Sequence, residues 1–272
     1  MSDPFELYAI RLAHADRPAR DNFLRGPARE GTMRMDFDMW VARNGERIVA
    51  IDSGFSVEGG SHRGRHLERT PTDALRELGI DSESVTDVVV THLHYDHAGN
   101  LDHFPAARIW VQEAEVAYVT GAAMRHPELS HFFEVDDVCA LLKESFRGRV
   151  NQVAGQVTLA EGLELHLVGG HTPGLQVVRV LTERGWVVLA SDALHYYENF
   201  ERRNPFPAIV DVVQMMDGYD RLLELAPGLE HIVPGHDPAV MEQYGAGSAG
   251  LPDGMVALHH RPAPEQVAAV ED

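Results

Sequence analysis

The stretch THLHYDHAGN, residues 91–100, crowds metal-ligand side chains into six positions: His92, His94, Asp96 and His97. It follows an apolar run of three valines, so we expect a loop that leaves the end of a buried strand. Imidazole nitrogen and carboxylate oxygen are the donors that borderline metals such as zinc take in proteins. The spacing therefore indicates metal ligation, with His92 and His94 sharing one ion while Asp96 and His97 face a second.

Four side chains cannot fill two coordination shells, and three more ligand-type residues lie just after predicted strands. His171 stands in GGHTPG, Asp192 in LASDA and His236 in VPGHD. Glycine and proline around His171 and His236 are typical of tight turns, and functional groups often lie where a rigid strand passes into a loop. Each residue is a weak candidate alone, but their shared position predicts that together they complete the shell.

The chain is predicted to alternate short strands with helices in two similar halves, at about 1–150 and 151–260. Helices are predicted at 70–80, 113–120, 135–146 and 209–225, from capping residues and apolar spacing. Strands are predicted at 6–14, 36–42, 47–51, 85–90, 108–111, 163–168, 175–181, 186–190 and 231–233. This order favours sheets covered by helices within one domain, 1–272. Residues 262–272 are expected to be a loose tail.

Charge and cysteine content limit the partners and the compartment. The 272 residues include 23 basic against 42 acidic ones, a net charge of −19, which argues against binding nucleic acid or an anionic membrane. Neither a signal peptide nor a membrane span is expected. The single cysteine, Cys139, fits a reducing cytoplasm, and its helical spacing with Val135, Val138 and Leu142 predicts that it lies in the core.

The ligand pattern resembles the metallo-β-lactamase superfamily. All seven ligand-type positions agree with the dinuclear members: His92, His94, Asp96, His97, His171, Asp192 and His236. The resemblance extends from Asp52, in AIDSG, to His236, and it implies an α+β fold, a four-layer αβ/βα sandwich with a dinuclear metal site at the sheet edge. Asp52 resembles the aspartate that orients a ligand or the loops without binding metal.

The resemblance also implies how two divalent ions would be held. His92, His94 and His171 would bind the first ion, and Asp192 would bridge the two. Asp96, His97 and His236 would bind the second. These donors suit zinc, which we expect, and they also suit iron, manganese or cobalt.

The reaction expected of such a site is hydrolysis. Two cations that share a water lower its pKa and hold a bridging hydroxide near neutral pH. The stretch LASDALHYYENF is most similar to N-acyl-homoserine lactonases, which implies opening of the ester ring of an N-acyl-homoserine lactone or a related small lactone. In that group a tyrosine three residues after the bridging aspartate contacts the lactone carbonyl. Here His195 stands there, with Tyr196 next, and either can donate to the developing oxyanion. Asp96 is the expected proton shuttle.

Several alternatives stay open at this point. A thioesterase similar to glyoxalase II shares HTPG but usually adds basic residues near its C-terminus. The best-known zinc β-lactamases have a cysteine where Asp192 stands, which disfavours a β-lactam hydrolase. A non-catalytic metal-binding protein is disfavoured by the complete ligand set, and a homodimer is possible. Residues 121–148 are either an insertion that covers the metals or ordinary core, and their large apolar side chains are Met124, Phe132, Phe133 and Phe146.

Overall fold

The computed structural model describes residues 3–26, 30–45 and 47–262, and these residues form two mixed sheets with helices around them. The strands of the first sheet are β1 Glu6–Pro18, β2 Thr32–Asn44, β3 Arg47–Ile51, β4 Asp87–Val89, β5 Arg108–Gln112, β6 Val150–Val153 and β12 Met255–Ala257. Those of the second are β7 Gln156–Ala160, β8 Leu163–Leu167, β9 Gln176–Thr182, β10 Gly185–Ser191 and β11 Ile232–Pro234.

Short helices connect and cover the strands. The α-helices are α1 Val57–Ser61, α2 Pro71–Glu77, α3 Tyr95–Ala98, α4 Glu113–Val119, α5 Pro127–Ser130, α6 Val135–Phe146, α7 Tyr197–Glu201, α8 Val212–Leu225 and α9 Ala239–Gly245. Single 3₁₀ turns occur at Ala19–Asn22, Ser82–Ser84, Leu101–His103, Ala122–Arg125, Leu229–His231 and Ala246–Ser248. None of the helices in the described ranges is both long and apolar enough to cross a membrane.

The strand order places several strand ends at one edge of the molecule. The first sheet runs β12-β1-β2-β3-β4-β5-β6 and the second β11-β10-β9-β8-β7. Strands β3 to β6 run parallel to one another, β3 is antiparallel to β2, and β10 is parallel to β11. Because parallel strands have their carboxyl ends at the same edge, the loops after β3 and β4 start together, and so do those after β10 and β11.

Alternating apolar side chains build three core clusters, one between the two sheets and one on the outer face of each sheet. Trp40, Val89, Leu165 and Leu189 belong to the cluster between the two sheets. The outer face of the first sheet packs against α2, α4 and α6, and that of the second against α8. Strands with both faces covered are apolar on both sides. The predicted α+β four-layer sandwich is therefore confirmed.

Local predictions succeeded best where a cap or a clear period fixes an element. The strand at 47–51 and the helix at 135–146 have the predicted bounds. Thr70 caps α2, accepting from the backbone N–H of Asp73. The helix predicted from 209 begins at Val212, because the Asp211 side chain accepts from the N–H of Gln214 and caps it there. The predicted loose tail lies almost wholly outside the described residues, and the single domain stays a prediction.

The predicted core position of Cys139 is wrong, because this side chain is exposed. Helix α6 instead turns Leu141 to the core, together with Asp137 and Glu144. The Glu144 carboxylate forms ion pairs with two arginines, and this satisfies its charge at the helix end. The predicted stripe is thus divided, because Val138 and Leu142 are partly buried against the core cluster while Val135 and Cys139 face solvent. The helical period alone did not show where the buried face is centred.

Substitution of Leu165 by Ala tests the layer between the sheets. Leu165 is fully buried there, so we expect Leu165→Ala to lower the free energy of unfolding by about 2–5 kcal/mol. Leu229→Ala is the matched control, since Leu229 is 56% exposed, and it should change stability by less than about 0.5 kcal/mol. Urea denaturation measures both, and equal losses would contradict this assignment of the core.

Candidate metal centre

Three imidazoles meet at the edge where the strands end. The Nε2 atom of His171 lies 3.1 Å from Nε2 of His92 and 2.8 Å from Nδ1 of His94. All three side chains are buried. Burial, together with the neighbouring histidines, lowers the pKa of His92 and of His94 well below its ordinary value. The rings of His92 and His94 are therefore neutral, which is the form that binds metal. A cation among the three nitrogens would satisfy them together.

A second group of ligands lies beside the first and shares one carboxylate with it. The donor atoms of Asp96, His97 and His236 lie within 4.8 Å of one another. Oδ1 of Asp192 is 3.4 Å from Nε2 of His97 and 3.0 Å from Nε2 of His236. Oδ2 of Asp192 is 3.2 Å from Nε2 of His171. The Asp192 carboxylate thus lies between the two groups, with one oxygen toward each.

Two observations show that this donor set fits two divalent ions. Buried Nε2 of His97 and Oδ1 of Asp192 find no partner with hydrogen-bond geometry among the described residues, although Nε2 of His236 is 3.0 Å from Oδ1, and this is costly unless a ligand supplies a partner. Burial opposes the charge of Asp192, yet His195, His236 and His97 hold its pKa well below the usual range. Asp192 is therefore ionised, and a carboxylate surrounded by imidazole nitrogens is a suitable bridge between two cations.

Partners on the far side of each ring fix which nitrogen faces the centre. Nδ1 of His97 lies 2.8 Å from Oδ2 of Asp52, and Nδ1 of His236 lies 2.7 Å from the carbonyl oxygen of Asp36. Nδ1 of His171 bonds to the carbonyl of Ala208. Each contact places the ring hydrogen on Nδ1, which leaves the Nε2 lone pair for metal. Asp52 therefore has the orienting position that the family resemblance implied.

Asp52 also ties together the ends of three strands. Its two oxygens accept from the backbone N–H and the hydroxyl of Thr91, each at 2.8 Å. The Thr91 hydroxyl lies 2.8 Å from that of Ser191, at the end of β10. Asp52 and Ser191 both have left-handed backbones, with φ of 61° and 44°, which non-glycine residues adopt at a cost. The hydrogen bonds around Thr91 maintain this geometry.

Glu115, on α4, is a positioning residue that the sequence analysis missed. Its buried carboxylate accepts from the backbone N–H of Leu93 at 2.9 Å and from that of Gly174 at 3.0 Å. It thereby joins the loop of His92 and His94 to the loop of His171. A Cβ on Gly174 would lie 2.2 Å from the backbone nitrogen of Glu115, so the approach requires glycine. No local signal separates Glu115 from its exposed neighbour Glu113.

A cavity of about 500 Å³ opens over the ligands. It reaches five of the seven predicted ligands: His94, Asp96, His171, Asp192 and His236. Phe132 stacks on the His94 ring, with centroids 4.9 Å apart, and with Leu129 and His131 it brings part of segment 121–148 into the wall. This segment therefore does cover the site.

The other large side chains of that segment have different places. Phe133 and Met124 pack with the core cluster outside the first sheet, although the Phe133 ring also meets the edge of His94. Phe146 is 95% exposed, so its expected place in the pocket or core is wrong. His131 is exposed and lines the cavity.

The two candidates for contact with the substrate carbonyl point in different directions. His195 lines the cavity, with Nε2 2.9 Å from Oδ2 of Asp192 and its ring stacked on Phe206. Burial lowers the pKa of His195 to about 3 although Asp192 opposes this, so its imidazole is neutral. Tyr196 is buried, and its hydroxyl donates to the carbonyl oxygen of Arg34 at 3.1 Å. The geometry thus favours His195.

The sandwich and this centre define a class of metallohydrolase fold, and comparison with known proteins identifies the family. Residues 38–260 match the metallo-β-lactamase superfamily model. The chain belongs to this superfamily, so the resemblance read from the sequence is confirmed.

Relatives with similar sequences are N-acyl homoserine lactonases. One from a Bacillus species is 32% identical over 167 residues, 60% of this chain and 60% of that protein. Another, AiiB of Agrobacterium fabrum, is 28% identical over 151 residues, 55% of this chain and 54% of AiiB. The match therefore spans about 60% or less of the length of these curated relatives.

Solved structures extend the likeness over most of the chain. An N-acyl homoserine lactone hydrolase with the product N-hexanoyl-L-homoserine at its catalytic metal centre has a TM-score of 0.71 and 22% identity, over 89% of this chain and 96% of that one. AidC, a dizinc quorum-quenching lactonase, has a TM-score of 0.68 and 18% identity, over 88% and 89%. At these identities the likeness shows a shared fold.

Replacing the shared carboxylate tests the centre directly. We expect Asp192→Asn to lower metal affinity by more than about 100-fold, because the neutral amide cannot balance two cations and losses of 10–100-fold already follow from weaker, indirect changes. Metal content per chain, measured by mass spectrometry after dialysis, checks this. Asp217→Asn, at an exposed carboxylate, is the control and should keep its metal. Full metal content in Asp192→Asn would contradict the assignment.

Proposed function

We propose that this protein is a metal-dependent hydrolase that opens the ester ring of a lactone, either an N-acyl-homoserine lactone or a related small lactone. The observation that carries the proposal is the pair of ligand groups joined by Asp192 at the floor of a cavity. Family membership and the lactonases among the relatives support it. A lactone-opening enzyme of this kind would quench quorum signals where the substrate is a signalling lactone.

The seven proposed ligands would hold the two ions. For Asp192, His97 and His236 the neighbouring residues show how the ligand atom is placed. Two divalent ions, when bound, supply an activated water and polarise the ester carbonyl. Asp192 sits between the sites, Asp52 orients His97, and Asp36 orients His236 through its backbone carbonyl. These contacts keep the ligand atoms in place without rearrangement during the reaction.

His195 and Asp96 are the proposed catalytic residues on the cavity side. Nε2 of the neutral His195 ring lies 2.9 Å from Oδ2 of Asp192, and the tautomer with its hydrogen on Nε2 would move this hydrogen bond from Asp192 to the carbonyl oxygen as negative charge develops there. Asp96 is part-buried and lines the cavity, so it can take a proton from the attacking water. It then passes this proton to the ring oxygen as the C–O bond breaks, giving a hydroxy acid. Tyr196 is the second candidate for contact with the carbonyl oxygen, although its hydroxyl donates to the carbonyl oxygen of Arg34 on β2.

Zinc, a cytoplasmic location and a homodimer belong to the same proposal. Imidazole and carboxylate donors suit zinc, and they suit iron, manganese or cobalt as well. The lone cysteine supports a reducing compartment.

The homodimer is proposed as a second copy that would cover α6, where Val135 and Phe146 are 75% and 95% exposed. The partner in the reaction is a small-molecule lactone or ester.

A substrate panel tests the proposed reaction against its rivals. Metal-loaded protein would be assayed for kcat/KM on an N-acyl-homoserine lactone, a γ-lactone, a δ-lactone, a glutathione thioester and a cephalosporin. We expect a lactone to exceed the last two by at least about tenfold, a ratio that modest pocket differences produce. Chelation should abolish turnover, and added metal should restore it. A best substrate among the thioester and the cephalosporin would overturn the proposal. Metal binding without any turnover would indicate a non-catalytic protein.

Replacement of His195 tests its role at the carbonyl. We expect His195→Phe to lower kcat by about 10²–10³, as loss of one oxyanion donor does, with a smaller change in KM. His195→Tyr should recover part of this loss, because it restores a donor. His260→Phe, at an exposed histidine, is the control. Metal content is measured for every variant, and unchanged kcat in a fully loaded His195→Phe would reject the role.

A further inference from the structure

The cavity wall holds arginines that the reaction above does not use, in a lining that also contains Asp21 and Glu128. Arg17 and Arg65 line the cavity and are half-buried, yet neither forms an ion pair with a described carboxylate. Two other arginines nearby are paired, Arg20 with Asp21 at 3.6 Å and Arg63 with Glu134. In a chain with 42 acidic residues against 23 basic ones, carboxylates are plentiful. Two unpaired guanidinium groups beside one site therefore need an explanation.

Arg65 is held on an aromatic surface next to the metal ligands. Its guanidinium lies 4.6 Å from the centroid of the Phe37 ring and 5.5 Å from that of Tyr95. The Phe37 ring in turn contacts the ring of His236, with centroids 5.4 Å apart. The backbone N–H of Arg65 is fixed to the carbonyl of Gly60 at 2.8 Å. Rings cover the flat face of the guanidinium, and this leaves its N–H edge for a ligand.

Arg17 adds a second cation to the same wall. Its side chain donates to the carbonyl oxygen of Asp21 at 3.1 Å and contacts the sulfur of Met35 at 3.6 Å. Burial lowers the pKa of Arg65, and the nearby charge of Arg17 lowers it further. The charge of Asp96 acts in the opposite direction and raises it. Asp96 is itself a proposed metal ligand, so it does not neutralise Arg65 fully. Like charges held together away from water favour an anion between them.

We propose that the substrate of this site carries an anionic group, a carboxylate or a phosphate, which Arg65 and Arg17 bind while the ester lies over the metal ligands. This inference rests on the proposed lactonase function and narrows its substrate class. Phe132, Leu129 and Phe206 supply the apolar part of the cavity wall, so the substrate would combine an apolar portion with a charged end. Arg65 is then a specificity-determining residue.

A matched series of lactones tests this. The three members share one ring and one tail, which ends in a methyl ester, a carboxylate or a phosphate monoester. On the metal-loaded wild type we expect the anionic tails to have kcat/KM about 10- to 100-fold above the methyl ester, mostly through KM, as charge-assisted hydrogen bonds provide. In Arg65→Gln this ratio should fall to below about threefold, and Arg65→Lys should keep part of it. The anionic tail with the larger kcat/KM relative to the methyl ester identifies whether the site prefers a carboxylate or a phosphate.

Binding measured without turnover gives an independent readout. Lactam analogues with the same three tails are titrated calorimetrically into metal-loaded wild type, Arg65→Gln, Arg17→Gln and the control Arg76→Gln, which removes an exposed arginine outside the cavity. Preference for the anionic analogues should persist in Arg76→Gln and decrease in both cavity variants. Melting temperature and metal content are recorded for each. If Arg65→Gln fails to fold, Arg17→Gln, on a different segment, provides the same comparison.

The outcomes separate this inference from the proposed function. Equal kcat/KM for neutral and anionic lactones, or an undiminished ratio in Arg65→Gln, overturns the anion site and leaves the lactonase proposal standing. If no lactone is hydrolysed, the proposed function fails. In that case calorimetry still decides: an anion preference that Arg65→Gln abolishes supports the anion site, and no preference overturns it.

Discussion

The carboxylate of Asp192 is the interaction on which the site depends. It lies buried at the end of β10, with one oxygen near His97 and His236 and the other near His171 and His195. A buried carboxylate is stable only among partners that balance its charge, and the surrounding imidazoles, with the two divalent ions that this donor set would hold, would provide that balance. Because the ligands come from both sheets, the arrangement is possible only when the sheets are packed with their strand ends at one edge.

A buried polar seam holds the two sheets in that relation. Gln176, at the start of β9, donates its backbone N–H to the carbonyl of Thr91 at 3.0 Å and its side-chain amide to the carbonyl of Val90 at 2.8 Å. Glu115 and Ser191 add further bonds across the same edge. Apolar packing between sheets has no directional preference, whereas hydrogen bonds do. The seam therefore fixes the register that brings the ligand groups together.

The cavity above the metal ligands has two chemically different walls. Phe132 and Phe206, stacked on histidines of the site, make one wall apolar. Arg65 and Arg17 place two guanidinium groups on another, within a strongly acidic chain. In the proposed function the ligand groups would set the type of reaction, and these walls would select the substrate. The two properties are encoded by different segments and can change independently.

Local spacing and turns of fixed chemistry were enough to predict the family and the strand ends that carry the proposed ligands. The cap at Thr70 and the bounds of α6 are local in the same sense. Tertiary packing decided where the buried face of α6 is centred, so Cys139 was misplaced. It also decided that His195 and not Tyr196 lines the cavity, although the two are adjacent. Glu115 and Arg65 act through contacts with residues distant in the chain, and no local pattern records which side chains will face each other across two packed sheets.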